Sequence, residues 1–188
     1  MSAPPELPDV VSRAFAVSRK AGYVSFCRNE TGRLLATLAA TRGGTLAEFG
    51  TGTGVGTAWL RSGVRGDAKI ITAELNPELA GAAAEIFEDD PQVEVLAADW
   101  STLTDKGPFS LLYLDSGDPS SVRVDAVADL VDEGGIVVLD DFTPCEMWPP
   151  IFHGRVDTLR EEWLTDERFT TVEVMVAADA ATLIATRR

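Results

Sequence analysis

The sequence predicts an α/β fold, a mostly parallel sheet that finishes in an antiparallel pair, preceded by a helical extension. Three observations carry this. From residue 45 onward, short β-rich runs alternate with amphipathic helical runs, the pattern of parallel strands joined by helical crossovers. The last two β-rich runs, 169–176 and 182–186, are separated only by 177–181, which is enough for a hairpin and too little for a crossover. Residues 1–44 carry two helical patterns and no strand pattern.

Taken in order, a helix is expected over 9–20, with Val10, Ala14, Phe15 and Val17 apolar, and a second over 29–41, with Leu34, Leu35 and Leu38. Between them, 22–28 has no regular pattern. The first strand is 45–49, followed by a helix over 54–64 that Gly66 closes. A strand over 69–74 leads to Asn76-Pro77, a cap and first-turn proline for a helix running to Glu88. Strands follow at 92–97 and at 109–114, the latter with an unbroken apolar run suited to burial on both faces. Asp118-Pro119 is expected to open a helix over 118–131, before a fifth strand at 135–139. A helix over 156–165, with Leu159, Trp163 and Leu164 on one face, precedes the terminal hairpin.

The chain has 188 residues, 45% of them hydrophobic, which is enough for one sizeable core, and one domain (1–188) is expected with 1–44 as its extension. No apolar run approaches the roughly 20 residues that a bilayer crossing needs. The first residues lack a basic stretch ahead of an apolar one, so a cytoplasmic location is expected. A formal charge of −14 argues against nucleic acid and anionic membranes as partners, because phosphate binding requires a positive surface. Cys27 and Cys145 are far apart, which points to reduced packing thiols rather than a disulfide or zinc site.

The sharpest motif is Glu48-Phe-Gly50-Thr-Gly52-Thr-Gly54-Val-Gly56, at the turn from the first strand into its helix. Glycines there permit left-handed backbone and close approach of a ligand, and the helix start offers free N–H groups. The dinucleotide spacing G-x-G-x-x-G/A fails in every frame: the sixth position is Val55, Thr57 or Trp59. A carboxylate just before the turn suits a cationic group such as an ammonium and repels phosphate. Glu74 ends the second strand, where a carboxylate can accept ribose hydroxyls, and Asp99-Trp100 follows the third, placed to meet an adenine.

Over 45–188 these features resemble the class I S-adenosylmethionine-dependent methyltransferases. The resemblance implies a Rossmann-like seven-stranded sheet with an antiparallel last strand and helices on both faces. It implies S-adenosylmethionine as cofactor, with Glu48, Gly50, Gly52 and Gly54 around the methionine part, Glu74 on the ribose, and Asp99 with Trp100 at the adenine.

Three more carboxylates fall at strand ends: Asp115 after the fourth, Asp140 and Asp141 after the fifth. In a doubly wound sheet they gather beside the cofactor, although consecutive strand residues point to opposite faces and Asp140 and Asp141 converge only where the strand has ended. Carboxylates so close repel unless protonated or metal-bound, and oxygen ligands suit Mg²⁺ or another divalent cation. Such an ion would help ionise a phenol, whose pKa is about 10. This arrangement resembles the catechol and caffeoyl-CoA type O-methyltransferases, in which an Asp and an Asp-Asn pair bind the metal, and Glu30-Thr-Gly32-Arg-Leu-Leu35 within 25–35 is similar to the segment ahead of that family's glycine motif. The alternative is that Asp115 positions substrate or cofactor while Asp140 and Asp141 are solvated.

Where that family often has a proton-accepting lysine this chain has Ser116-Gly-Asp118, and its Tyr-Ser is here Val55-Gly56. Asp115 and His153, the sole histidine, are the candidate catalytic groups. The loop 142–153, with Met147, Trp148 and Phe152, would either wall an aromatic substrate or pack on the N-terminal helices or a partner subunit. The expected function is methylation of a small aromatic hydroxyl, with divalent metal assistance. The alternatives are cofactor binding without methyl transfer, or transfer to nitrogen, carbon or a macromolecule. The partner is then a small molecule, and apolar faces on the first two helices leave room for a homodimer.

Overall fold

The computed structural model describes residues 6–24 and 27–188. Two helices, α1 (Asp9–Lys20) and α2 (Asn29–Ala39), precede β1 (Thr45–Phe49), α3 (Val55–Gly63), β2 (Lys69–Glu74), α4 (Pro77–Ile86) and β3 (Val93–Ala97). A 3-10 segment at Trp100–Lys106 leads to β4 (Phe109–Leu114), a single helical turn α5 (Val124–Val127), and β5 (Val131–Phe142). A two-residue ladder of β6 (Ile151–Phe152) with β7 (Arg155–Val156), then α6 (Thr158–Thr165), β8 (Phe169–Ala177) and β9 (Ala180–Arg187) complete the chain. Seven strands form one sheet in the order β3-β2-β1-β4-β5-β9-β8, in which β9 alone runs antiparallel to its neighbours. This is the Rossmann-like arrangement expected, helices on both faces included.

The strand pairings set which side chains share a face. Glu48 of β1 lies beside Thr72 of β2 and Tyr113 of β4, and Tyr113 lies beside Val138 of β5. Period-two alternation therefore sends Ala47, Ile71, Leu112 and Val137 to the opposite face. There they pack with Leu103, Val124, Val127 and Trp163 in one apolar cluster. On the Tyr113 face, Leu46, Ile70, Leu111 and Val138 pack with Val11 and Ala14 of α1, Leu35 and Ala39 of α2, and Trp59 and Leu60 of α3. The apolar stripes of α1 and α2 are thus spent on their own chain. Among the described residues no helix is long and apolar enough to cross a membrane.

Two elements depart from expectation. In place of a helix over 118–131 there is a turn and then α5. The Asp118 carboxylate accepts from Ser120 N at 2.9 Å and Ser120 Oγ at 2.7 Å, while the Asp118 carbonyl accepts from Ser121 N at 3.1 Å. Such local bonds offer the backbone an alternative to a helix. The fifth strand is longer than 135–139, because Val131 pairs with Phe109 across an irregularity and Phe142 still pairs with Ala181. In the stretch 25–35, residues 25 and 26 lie outside the described residues, and Asn29 onward forms α2.

Arg160 of α6 ties together the face opposite Tyr113. Only 2% exposed, it lies over the Phe142 ring at 5.1 Å, donates to the Thr143 carbonyl at 2.6 Å, and pairs with Asp157 and Glu173, each at 3.2 Å. Removing a buried ion leaves its partners uncompensated. Arg160→Ala is expected to cost about 3 kcal/mol, read as a lower denaturation midpoint at unchanged slope; a loss within experimental error would mean the guanidinium holds nothing.

Candidate active site

Strand order reverses between β1 and β4, and in such sheets ligands bind beyond the carboxyl ends of the strands at that switch. A cavity of about 420 Å³ lies there. Its lining includes the turn Gly50–Thr53, Glu74, Asp99, Trp100, Asp115, Asp118 and Asp141. The chain leaves β1 at Gly50 with φ +94, and a Cβ at this position would strike the Asp115 carbonyl oxygen. Only glycine combines that backbone with that approach. Gly50 and Thr51 both donate to the Ala73 carbonyl, at 3.0 and 3.3 Å, and Asp115 N donates to the Phe49 carbonyl at 3.0 Å. The three strand ends are stapled around the cavity floor.

Glu74 and the Asp99–Trp100 pair stand where the sequence reading put them. The Glu74 carboxylate accepts from Gly52 N at 2.8 Å and Asn76 N at 2.9 Å, so it braces the glycine turn and faces the cavity with its remaining lone pairs. Asp99 caps the 3-10 segment through Ser101 N at 2.9 Å. Trp100 packs on Phe49 with centroids 5.2 Å apart and donates Nε1–H to Asp118 at 3.0 Å. Hydrogen bonds from Ser120 and then Trp100 hold the exposed Asp118 carboxyl below its ordinary range.

Glu48 is a correction. It is fully buried and does not line the cavity, so it is not an anionic contact for a ligand's ammonium. Its place beside Thr72 and Tyr113 turns it under α3, where Oε2 accepts from Thr57 and, at 3.0 Å, from Thr72. Thr72 shares a further bond with Thr51 at 2.5 Å, which continues the chain of hydroxyls up to the glycine turn. Burial, outweighing the threonine bonds, pushes the Glu48 carboxyl up to about 8. It supports the turn from below, with its hold on a proton strengthened by burial.

The other carboxylates divide. Asp115 and Asp141 line the cavity; Asp140 does not. The Tyr113 hydroxyl lies 3.3 Å from both Asp115 Oδ2 and Asp140 Oδ2. Asp140 Oδ1 is taken by Thr31 Oγ1 at 3.2 Å and Thr182 Oγ1 at 3.0 Å. Asp141 turns away from Asp140 although the strand continues, because its backbone is left-handed (φ +66) within the irregular pairing between Leu139 and Phe142. Burial first, then the charges of Glu48, Asp141 and Asp140, raise the Asp115 carboxyl well above its ordinary range. Among the described residues no group of three or more His, Cys, Asp or Glu side chains is disposed to hold a metal ion. Asp115, Asp140 and Asp141 therefore do not fit the divalent-cation role expected of them, since the acceptor oxygens of Asp140 are already occupied by hydroxyl donors.

His153, expected as a catalytic group, does not reach the cavity. It occupies the turn between β6 and β7 with φ +49, against the Phe152 ring at 4.1 Å, outside the cavity lining. Met147 and Trp148, 64% and 63% exposed, do not line the cavity either. Residues that the sequence reading missed do: Tyr23 and Cys27, from the irregular segment between α1 and α2, form part of the wall. Burial, then the charge of Asp140, raises the Cys27 thiol well above its ordinary range. Tyr113 was legible in principle, because it precedes Asp115 by two in a strand and so shares its face.

A family model described as a methyltransferase domain matches residues 47–142. A "Probable O-methyltransferase" of Mycobacterium tuberculosis is 33% identical over 119 residues, covering 57% of this chain and 52% of its own. The chain thus spans about half the length of the relatives it matches. In fold it is similar to the O-methyltransferase from Bacillus cereus solved with S-adenosylhomocysteine (TM-score 0.77, 18% identity, 98% and 93% of the two chains). It is similar too to an O-methyltransferase from Streptomyces achromogenes involved in tomaymycin synthesis, solved with S-adenosylmethionine (TM-score 0.76, 20% identity, 97% and 92%).

The buried Glu48 carboxyl makes stability depend on pH. In the unfolded chain it ionises near 4.5, in the folded chain near 8, so between those values the folded state binds the extra proton. Stability then falls as pH rises through that window and levels off above it, by up to about 4–5 kcal/mol. Glu48→Gln is expected to flatten this decline and to melt higher than the parent at pH 8.5, measured by thermal unfolding across pH. An unchanged slope would remove Glu48 as its source.

Proposed function

Since the chain belongs to the methyltransferase-domain family, we propose that it is an S-adenosylmethionine-dependent O-methyltransferase acting on a small aromatic hydroxyl. The observation that carries this reading is the cavity at the switch point, bounded by a glycine turn pressed against Asp115 and edged by the Glu74 carboxylate. Its volume suits a cofactor-sized ligand. Gly50, Gly52 and Gly54 would border the amino acid part, Glu74 would accept the ribose hydroxyls, and Asp99 with Trp100 would meet the adenine. When bound, the cofactor would supply a methyl group on a positively charged sulfur, which a lining rich in the carboxyl groups of Glu74, Asp99, Asp115 and Asp141 favours.

On this reading the acceptor would lie against Asp115, Ser116 and Asp141, which share the cavity lining with Tyr23, Cys27 and Val55. The described lining holds no Lys, Arg or His, so a neutral hydroxyl is better accommodated than a phosphate or carboxylate. Asp115 is the group placed to take the acceptor's proton, and a carboxylate with a raised proton affinity is the stronger base. The remaining contribution is alignment, in a site shielded from water. A small molecule is the partner this reading requires.

Calorimetric titration with S-adenosylhomocysteine is expected to give one site per chain, and a panel of phenols to yield at least one methyl ether. Asp115→Asn is expected to bind S-adenosylhomocysteine within about threefold of the parent yet lose about a hundredfold or more in kcat. Absence of binding would refute the cofactor assignment. Tight binding with no phenol methylated would favour a cofactor-binding protein without transfer.

A further inference from the structure

We propose that the Tyr113 hydroxyl occupies the position between Asp115 and Asp140 where a metal ion would otherwise join them, and that the acceptor end of the cavity works without a divalent cation. The proposal rests on the methyltransferase reading of the cavity and specifies how its acidic end is held.

The geometry points to Tyr113 from three sides. Its hydroxyl is equidistant from the two carboxyl groups, 3.3 Å from each, so one proton is shared between two acceptors. Tyr113 is fully buried, and it shares with Glu48 the space that Gly56 leaves open: a Cβ on Gly56 would strike Glu48 Oε1 first and lie 2.9 Å from Tyr113 Cε1, so a larger residue there would press on both. Finally, Asp140 is saturated by hydroxyls from three elements, Thr31 on α2, Thr182 on β9 and Tyr113 on β4.

A cation joining Asp115 to Asp140 would have to displace the Tyr113 hydroxyl, because hard divalent ions need carboxylate oxygens free to face them. Asp141, the remaining candidate, lines the cavity with Asp115, but Asp140 does not, and among the described residues the three carboxyl groups form no common ligand set. The neighbouring Cys27 thiol, which donates to the Arg28 carbonyl at 3.4 Å, is a poor ligand for Mg²⁺. Tyr113 is on this account a positioning residue: it touches Asp115, which meets the acceptor, and fixes the direction of that carboxyl.

The test is a titration of Mn²⁺ into the full chain with and without S-adenosylhomocysteine, followed by electron paramagnetic resonance, alongside turnover before and after EDTA dialysis. The expected result is an undiminished free-ion signal and unchanged turnover. Tyr113→Phe is expected to lower kcat by about tenfold with little change in KM for the methyl donor, and to take up Mn²⁺ between the two freed carboxylates. Stoichiometric Mn²⁺ uptake by the parent chain that Asp115→Asn abolishes would overturn the proposal. So would a Tyr113→Phe protein indistinguishable from the parent in both kcat and Mn²⁺ uptake. Should the variant fail to fold, the parent's Mn²⁺ signal alone decides. Failure of S-adenosylhomocysteine to bind would count instead against the methyltransferase reading.

Discussion

The site depends on one close approach, that of Gly50 to the carbonyl of Asp115. Parallel pairing brings β1 and β4 side by side, and both chains must leave the sheet at the same level, where the strand order reverses. Without a Cβ at Gly50 the two backbones meet in contact, Asp115 N closes onto the Phe49 carbonyl, and β1 turns into α3 over the cavity rather than away from it. Any side chain at Gly50 would part these strands and remove the cavity's floor.

Beneath this contact lies an unusual polar layer within the sheet's helix-covered face. Glu48, Thr72 and Tyr113 sit at one register level on three adjacent strands, all fully buried, where apolar side chains would ordinarily pack. Buried polar groups are tolerated only when hydrogen-bonded, and here Thr51, Thr57, Thr72 and Glu48 form a continuous chain under the turn. A second network, centred on Tyr113, spans Asp115, Asp140, Thr31 and Thr182. The first network shapes the turn and the second orients the acids. The acidic side chains that line the cavity, Glu74 and Asp118 among them, are left to set its polarity.

Most of the fold was legible because periodicity reports burial directly. Four of the first five strands of the sheet, β1 to β4, matched their expected ranges to within a residue, and the short link at 177–181 announced the antiparallel end. The helix expected over 118–131 failed because Asp118 and its serines satisfied one another locally, a competition that pattern alone does not reveal. The positions of Glu74, Asp99 and Trp100 in the cavity lining were readable from strand ends. Glu48 was misassigned because its direction depends on β1 register relative to α3, and a carboxylate beside a glycine turn reads the same whether it faces the ligand or lies beneath it. Asp140 and Asp141 were rightly placed together in sequence, but the left-handed backbone at Asp141 separates their directions. Thr31 and Thr182, which occupy Asp140, come from elements distant in sequence and carry no local signal.

The most direct test of the account is a crystal structure of the chain with S-adenosylhomocysteine. The adenosyl group is predicted to lie in the cavity over the glycine turn, with the ribose hydroxyls within hydrogen-bonding distance of the Glu74 carboxylate and with Glu48 untouched beneath. A ligand seated elsewhere, or one whose amino group reaches Glu48 directly, would contradict it.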